Sequence, residues 1–198
     1  MKDRQAMVSQ IIRERRSTWP VNFDPDKKID NEVIADILDI AVWAPSHGLT
    51  QPWVFKVFHG QGVSRFFQKQ KEIYLNTNPP DLIQEGKLSK YDEKIRQVSH
   101  IVAVCMKRDI KRKYPEIEEI VSVGCVIENI YLCLDAYDIA GYLSTGDICY
   151  TQQMKEFLHL GPEDHCLGFF QLGYPRTGIN RPVRKRIPAS EKTEWIGE

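Results

Sequence analysis

Ile101-Val102-Ala103-Val104-Cys105 is five apolar residues in succession, with no alternation between polar and apolar positions. A strand with one wet face alternates, whereas an unbroken run marks a strand covered on both sides. The stretch therefore predicts a central strand with layers above and below it. Working outward, Cys166-Leu-Gly-Phe-Phe-Gln-Leu172, stopped by Gly173-Tyr174-Pro175, reads as a second core strand. Trp53-Val-Phe-Lys-Val-Phe58, aromatic and β-branched and closed by His59-Gly60, reads as a third, and Gly141–Thr145 as a short fourth. Helical periodicity fills the intervals. Met7, Ile11 and Ile12 predict a helix that runs out near Arg15-Arg16-Ser17. Val33, Ile34, Ile37, Leu38, Ile40 and Ala41, with Asp30 as N-cap, predict another over about 31–43. Ile117 to Tyr137 has the longest stripe (Ile120, Val123, Ile127, Ile130, Leu134) and predicts a mostly buried helix, and Tyr150–Leu158 predicts a short one. The polar stretch between the first two strands reads as helical, interrupted at Asn78-Pro79-Pro80, and peripheral. About four strands among five or six helices make a mixed α and β fold.

Composition narrows the function. A chain of 198 residues with 42% hydrophobic content supplies one core, so a single domain over 1–198 is expected. Lys plus Arg and Asp plus Glu are 27 each, so no net field favours nucleic acid or an anionic membrane. Met1–Gln10 is polar and no apolar run approaches about 18 residues, which disfavours secretion and membrane spanning. The five Cys form no CxxC pair and suit reduced thiols in the cytoplasm. The five His show neither i, i+4 pairing nor HExxH, so no metal is expected. GxGxxG is absent, and Gly86-Lys-Leu-Ser89 lacks the upstream glycine of a phosphate loop, position 81 being Asp.

Four stretches have chemical potential, each with a bland alternative. Arg15 and Ser17, two apart after the first helix, could grip one phosphate through a guanidinium fork and a hydroxyl, or form a solvated helix end. In Arg181-Pro-Val-Arg184-Lys-Arg186-Ile-Pro188, alternation in extended chain points Arg184 and Arg186 the same way, toward a dianion or simply into solvent. Lys107-Arg108 with Lys111-Arg112-Lys113 reads as surface charge alone. Ala44-Pro-Ser46-His47-Gly-Leu-Thr50-Gln51-Pro-Trp53 is either a loop that reads a heteroaromatic edge or a capping turn. Gly141-Tyr-Leu143-Ser144-Thr145-Gly146-Asp147 permits close backbone approach to a flat ligand, or is a β-turn.

Taken in order, Arg15-Arg16-Ser17, Ala44-Pro45-Ser46 with Gln51-Pro52-Trp53, Gly141 to Gly146, Leu172-Gly173-Tyr174-Pro175 and Arg184-x-Arg186-x-Pro188 resemble the FMN-dependent nitroreductase family, especially its short members. The resemblance implies an α+β fold, a mostly antiparallel sheet flanked by helices, with a C-terminal tail reaching onto the partner of a homodimer. It implies FMN at each subunit interface and NADH or NADPH as reductant. The implied activity is ping-pong reduction of nitroaromatic, quinone-like or other electron-poor acceptors. The same flavin site could serve reductive dehalogenation, activated-alkene reduction or flavin binding without turnover. Arg15, Arg16 and Ser17 match residues that reach the FMN phosphate and ribityl chain, and Arg184 and Arg186 the second half of that clamp. His47 and Gln51 match loop residues that approach the other subunit's flavin, and Leu143, Ser144 and Thr145 the segment facing the ring edge. Lys94 matches a lysine at the N1 and C2 carbonyl side, with an electrostatic role. Leu49 and Trp19 stand where many members carry Asn and a basic residue.

Overall fold

The structure, a computed structural model, describes residues 2–179 and 184–197. Its four strands are β1 (Trp53–His59), β2 (His100–Met106), β3 (Ala140–Ser144) and β4 (His165–Gly173). They form one sheet in the order β1-β2-β4-β3, every neighbouring pair antiparallel. Six helices surround it: α1 (Lys2–Glu14), α2 (Asn31–Ala41), α3 (Gln61–Thr77), α4 (Glu85–Gln97), α5 (Glu116–Ala136) and α6 (Gln152–Phe157).

The unbroken apolar run of β2 has the cause its composition suggests. Ile101, Ala103 and Cys105 point into one core with Phe66, Phe67 and Phe169, beneath α3, α4 and α6. Val102, Val104 and Met106 point into the other with Ile37, Val126, Ile130 and Phe170, beneath α2 and α5. Opposite faces of one strand thus feed two cores, so no position is left for a polar residue.

Two expectations need correction. The stretch between β1 and β2 is helical and broken at the prolines, but it is not peripheral: Val63, Phe66, Phe67 and Ile73 of α3 are buried at helical spacing and roof one face of the sheet. Its charged outer face masks that stripe in composition. Helix α5 is not mostly buried. Val123, Val126, Ile130 and Leu134 face inward, whereas Ile117 and Val121 are exposed, because the sheet and α2 cover only one side. Within the tail, Arg181, Pro182 and Val183 lie outside the described residues.

A polar relay ties the start of α2 to β2. The Ile29 amide donates to Ser99 Oγ (2.9 Å), Ser99 Oγ meets His100 Nδ1 (3.0 Å), and His100 Nε2 meets Asn31 Oδ1 (2.8 Å). An amide oxygen only accepts, so the imidazole carries its proton on Nε2 and is neutral. His100 is 3% exposed. Burial, followed by the nearby His59 and Lys28, lowers its pKa from the usual 6.5 to about 4. A histidine with a depressed folded-state pKa contributes stability that is present above pH 6.5 and lost as pH falls toward 4. The stabilisation at neutral pH relative to pH 4 should approach about 3 kcal/mol. Urea unfolding of the parent should therefore weaken between pH 6.5 and 4 more steeply than that of His100→Gln. Parallel curves would show that His100 is not the group responsible.

Candidate active site

Three backbone segments meet at the edge strand β3. The chain leaving α1 runs alongside it, and the Thr18 amide donates to the Gly141 carbonyl (2.9 Å). Trp19 stacks on Tyr142 with ring centroids 4.3 Å apart. Tyr131 of α5 links the segments. Its hydroxyl accepts from Ser17 Oγ (3.1 Å) and from the Leu143 amide (3.0 Å), and the Arg15 guanidinium lies 4.7 Å above its ring. Arg15, Ser17 and Leu143 are thus held by one side chain that sequence reading did not single out.

Next to this junction is a cavity of about 540 Å³ lined by Ile12, Arg13, Arg15, Arg16, Arg184 and Arg186. The two weak basic signals therefore meet, although some 170 residues separate them. Among the described residues no carboxylate lines the cavity. Arg15 Nε is 3.8 Å from Glu128, a half-exposed side chain, and Arg16 donates to the carbonyls of Arg13 and Arg15. Guanidiniums that line one cavity suit an anion, and their planar forks match a phosphate.

Beyond the end of β3, on the α4 side of the sheet, lies a smaller cavity of about 210 Å³. Ser144, Thr145, Lys94, Tyr91, Gln70 and Gln171 are among its lining residues. Lys94 has its ammonium about 6 Å from the ring centroids of Phe67 and Tyr91. Burial, then Lys90, lowers its pKa below the ordinary lysine value. Gln171 is 1% exposed and donates from Nε2 to Ser144 Oγ (3.0 Å), but its Oε1 has no partner. A buried amide oxygen without a donor is costly, so the cavity asks for a ligand with an N–H or O–H at that point. Gln171 escaped sequence reading because it sits inside an otherwise apolar strand. Cys149 lines the same cavity, and its thiol donates to Cys166 (3.3 Å). Hydrogen bonding to Cys166 and burial push the Cys149 and Cys105 thiols up, which keeps both protonated.

His47 and Gln51 line neither cavity. Their loop rests against the start of α5 and the residues before it, where the His47 ring lies tilted against Tyr114 (centroids 3.9 Å apart) and bonds to Glu118. Gly48, Leu49 and Gln51 all have positive φ, at +59°, +54° and +46°. For Leu and Gln this backbone region is strained, by about 1–3 kcal/mol each. A Cβ at Gly48 would strike the Tyr114 ring at 2.1 Å, so glycine is required there. Trp43 and Leu49, at the two ends of this region, are 88% and 80% exposed. Among the described residues no His, Cys, Asp and Glu cluster could hold a metal ion, and no helix is long and apolar enough to cross a membrane.

An antiparallel sheet between helical layers agrees with what comparison finds. The nitroreductase family model matches residues 12–174, and the chain belongs to that family of oxidoreductases. It is 23% identical over 187 residues to the protein named "Putative NAD(P)H nitroreductase YfhC" of Bacillus subtilis (strain 168), covering 94% of this chain and 93% of that one. Among solved structures it is similar to a nitroreductase-like family protein from Bacillus cereus (TM-score 0.80, 21% identity, 96% and 95% of the chains covered). It is also similar to the FMN-dependent nitroreductase NfnB from Mycobacterium smegmatis, solved with NADPH (TM-score 0.71, 17% identity, 98% and 99% covered).

Proposed function

We propose that the chain is an FMN-dependent NAD(P)H oxidoreductase that reduces nitroaromatic, quinone-like or other electron-poor acceptors by alternating donor and acceptor at one site. The convergence of Arg15, Arg16, Arg184 and Arg186 on one cavity carries the reading. A flavin mononucleotide ends in a phosphate dianion at one side and a planar imide edge at the other. The residues present fit both ends: the arginine cleft takes the dianion, and the unpartnered Gln171 oxygen beside the Lys94 ammonium takes a donor flanked by carbonyl oxygens. FMN, when bound, accepts hydride from a reduced nicotinamide and passes electrons to the acceptor.

The protein's own work is positioning and electrostatics. Arg15 and Arg186 hold the phosphate by charge-assisted bonds, Tyr131 fixes Arg15 and Ser17 against β3, and Ser144 and Thr145 offer backbone and hydroxyl groups to the ring edge. Lys94 places positive charge where electron density rises on reduction. No side-chain acid or base is required, and the five free thiols suit a cytoplasmic setting. Purified protein should be yellow and should oxidise NADH or NADPH with a quinone acceptor. Colourless protein that takes up no added FMN would sink the proposal.

The same reading makes the protein a homodimer in which His47 and Gln51 serve the partner's flavin. The exposed Trp43, Leu49, Ile117 and Val121, together with the strained loop, support it, because an apolar partner surface would cover the former and hold the latter. A mixed dimer tests this, with Arg15→Ala and Arg186→Ala in one subunit and His47→Ala and Gln51→Ala in the other. If the loop acts in trans, all lesions fall on one site and about half the activity remains. If it acts in cis, both sites are damaged, and a monomer in sedimentation would refute sharing outright.

A further inference from the structure

Helix α4 carries Lys87, Lys90, Tyr91 and Lys94 at i, i+3, i+4 and i+7, which places them on one helix face. That face lines a second cavity, of about 450 Å³, together with Gln84 and Gly86. Lys87, Tyr91 and Lys94 also line the polar cavity at the end of β3, so the two openings are continuous along the helix. At a rise of 1.5 Å per residue the lysine row leads about 10 Å outward from the Lys94 end.

What sets this row apart is its lack of acids. On the neighbouring helix, Lys69 pairs with Glu72 (2.8 Å) and Lys71 reaches Asp92 (3.2 Å). Among the described residues Lys87, Lys90 and Lys94 have no carboxylate partner within ion-pair distance. Lys87 instead sits 4.2 Å from the Tyr74 ring centroid, which holds its stem down while leaving its charge available. Among the described residues Asp147 is the one acid lining either cavity, and it lies on the inner one. Three unpaired ammonium groups in a row beside a ring-binding cavity repel one another and attract an elongated anion.

We propose that this lysine face of α4 is the docking site for the phosphate groups of the nicotinamide dinucleotide that reduces the enzyme. The inference rests on the flavin reading above. Lys94 marks the ring end, and Lys90 and Lys87 lie outward along the helix, where a dinucleotide whose nicotinamide reached the flavin would carry its phosphates. Lys94 keeps its ring role and is left intact in the test.

The experiment compares the parent with Lys87→Gln/Lys90→Gln and with the charge reversal Lys87→Glu/Lys90→Glu, using menadione as an uncharged acceptor. Three hydride donors are used: NADPH, NADH and the phosphate-free 1-benzyl-1,4-dihydronicotinamide. The neutral variant should lose roughly tenfold in kcat/KM for the dinucleotides, and the reversal more, as expected for two partly exposed charge-assisted contacts. The benzyl donor, which brings no phosphate, should lose far less than the dinucleotides do. A loss for NADPH alone assigns the 2′-phosphate, and an equal loss for NADH assigns the pyrophosphate. Rising salt should depress the parent's dinucleotide kcat/KM and leave the variants' nearly flat. Unchanged dinucleotide kinetics, or an equal fall with the benzyl donor, would overturn the docking site. If the parent oxidises none of the three and binds no FMN, the flavin reading itself has failed.

Discussion

Replacing Arg15 and Arg186 together by alanine should weaken FMN binding about a hundredfold or more, and each replacement alone about tenfold. A charge-assisted hydrogen bond contributes about 1.5–3 kcal/mol, and each 1.4 kcal/mol is a factor of ten. The arginines are distant in the chain and line one cavity, and the half-exposed Glu128 at 3.8 Å from Arg15 is the one carboxylate partner that either has among the described residues. Arg15 has a second contact, stacking over Tyr131, so Arg15→Lys should recover less affinity than charge alone predicts. Flavin fluorescence quenching on titration gives the constants. If the double variant keeps its flavin through dialysis as the parent does, the clamp is wrongly assigned.

Glu119→Ala should destabilise the fold by about 3–5 kcal/mol, enough to consume a large part of a typical domain's stability. Glu119 is 1% exposed on α5, bonds to the Arg108 guanidinium and accepts from the Asp109 amide (3.0 Å). Arg108 also donates to the Tyr114 carbonyl (2.9 Å), and its amide donates to Asp164 (3.0 Å). Removing the carboxylate strands a mostly buried guanidinium and an amide together. The same clip holds the chain at Tyr114, the ring on which His47 rests, so the variant should also loosen the loop from Ser46 to Gln51. Urea denaturation measures the first effect, and limited proteolysis of the loop the second. A loss below about 1 kcal/mol would mean that Arg108 relaxes into solvent.

How far the sequence could be read depended on how local each signal was. The β2 run and the stripes of α2 and α5 are decided within a few residues, and the structure places those elements where periodicity does. Arg15 and Arg186 were each visible, but their meeting was not, since nothing in either segment encodes a contact so distant in the chain. Composition misread Arg108, because a lysine and arginine run looks solvated unless Glu119, inside an apolar helix, is seen to face it. Gln171 and Tyr131 were hidden for the opposite reason: a polar group within an apolar run looks like tolerance until its partners, or their absence, are known. The stripe of α3 was masked by the charges on its outer face.

The arginine cavity joins the end of α1 to the segment at 184–186, which would give an anion bound there a second effect. Without an anion, the like charges of Arg15, Arg184 and Arg186 would repel one another across the cavity between α1 and the segment at 184–186. Inorganic phosphate, or salt in general, should then raise the melting temperature of the flavin-free protein, although salt weakens ordinary ion pairs. FMN at a hundred times its dissociation constant would add about 2.7 kcal/mol by mass action. The flavin-free protein should accordingly melt at a lower temperature than the loaded one, by an amount that added phosphate reduces.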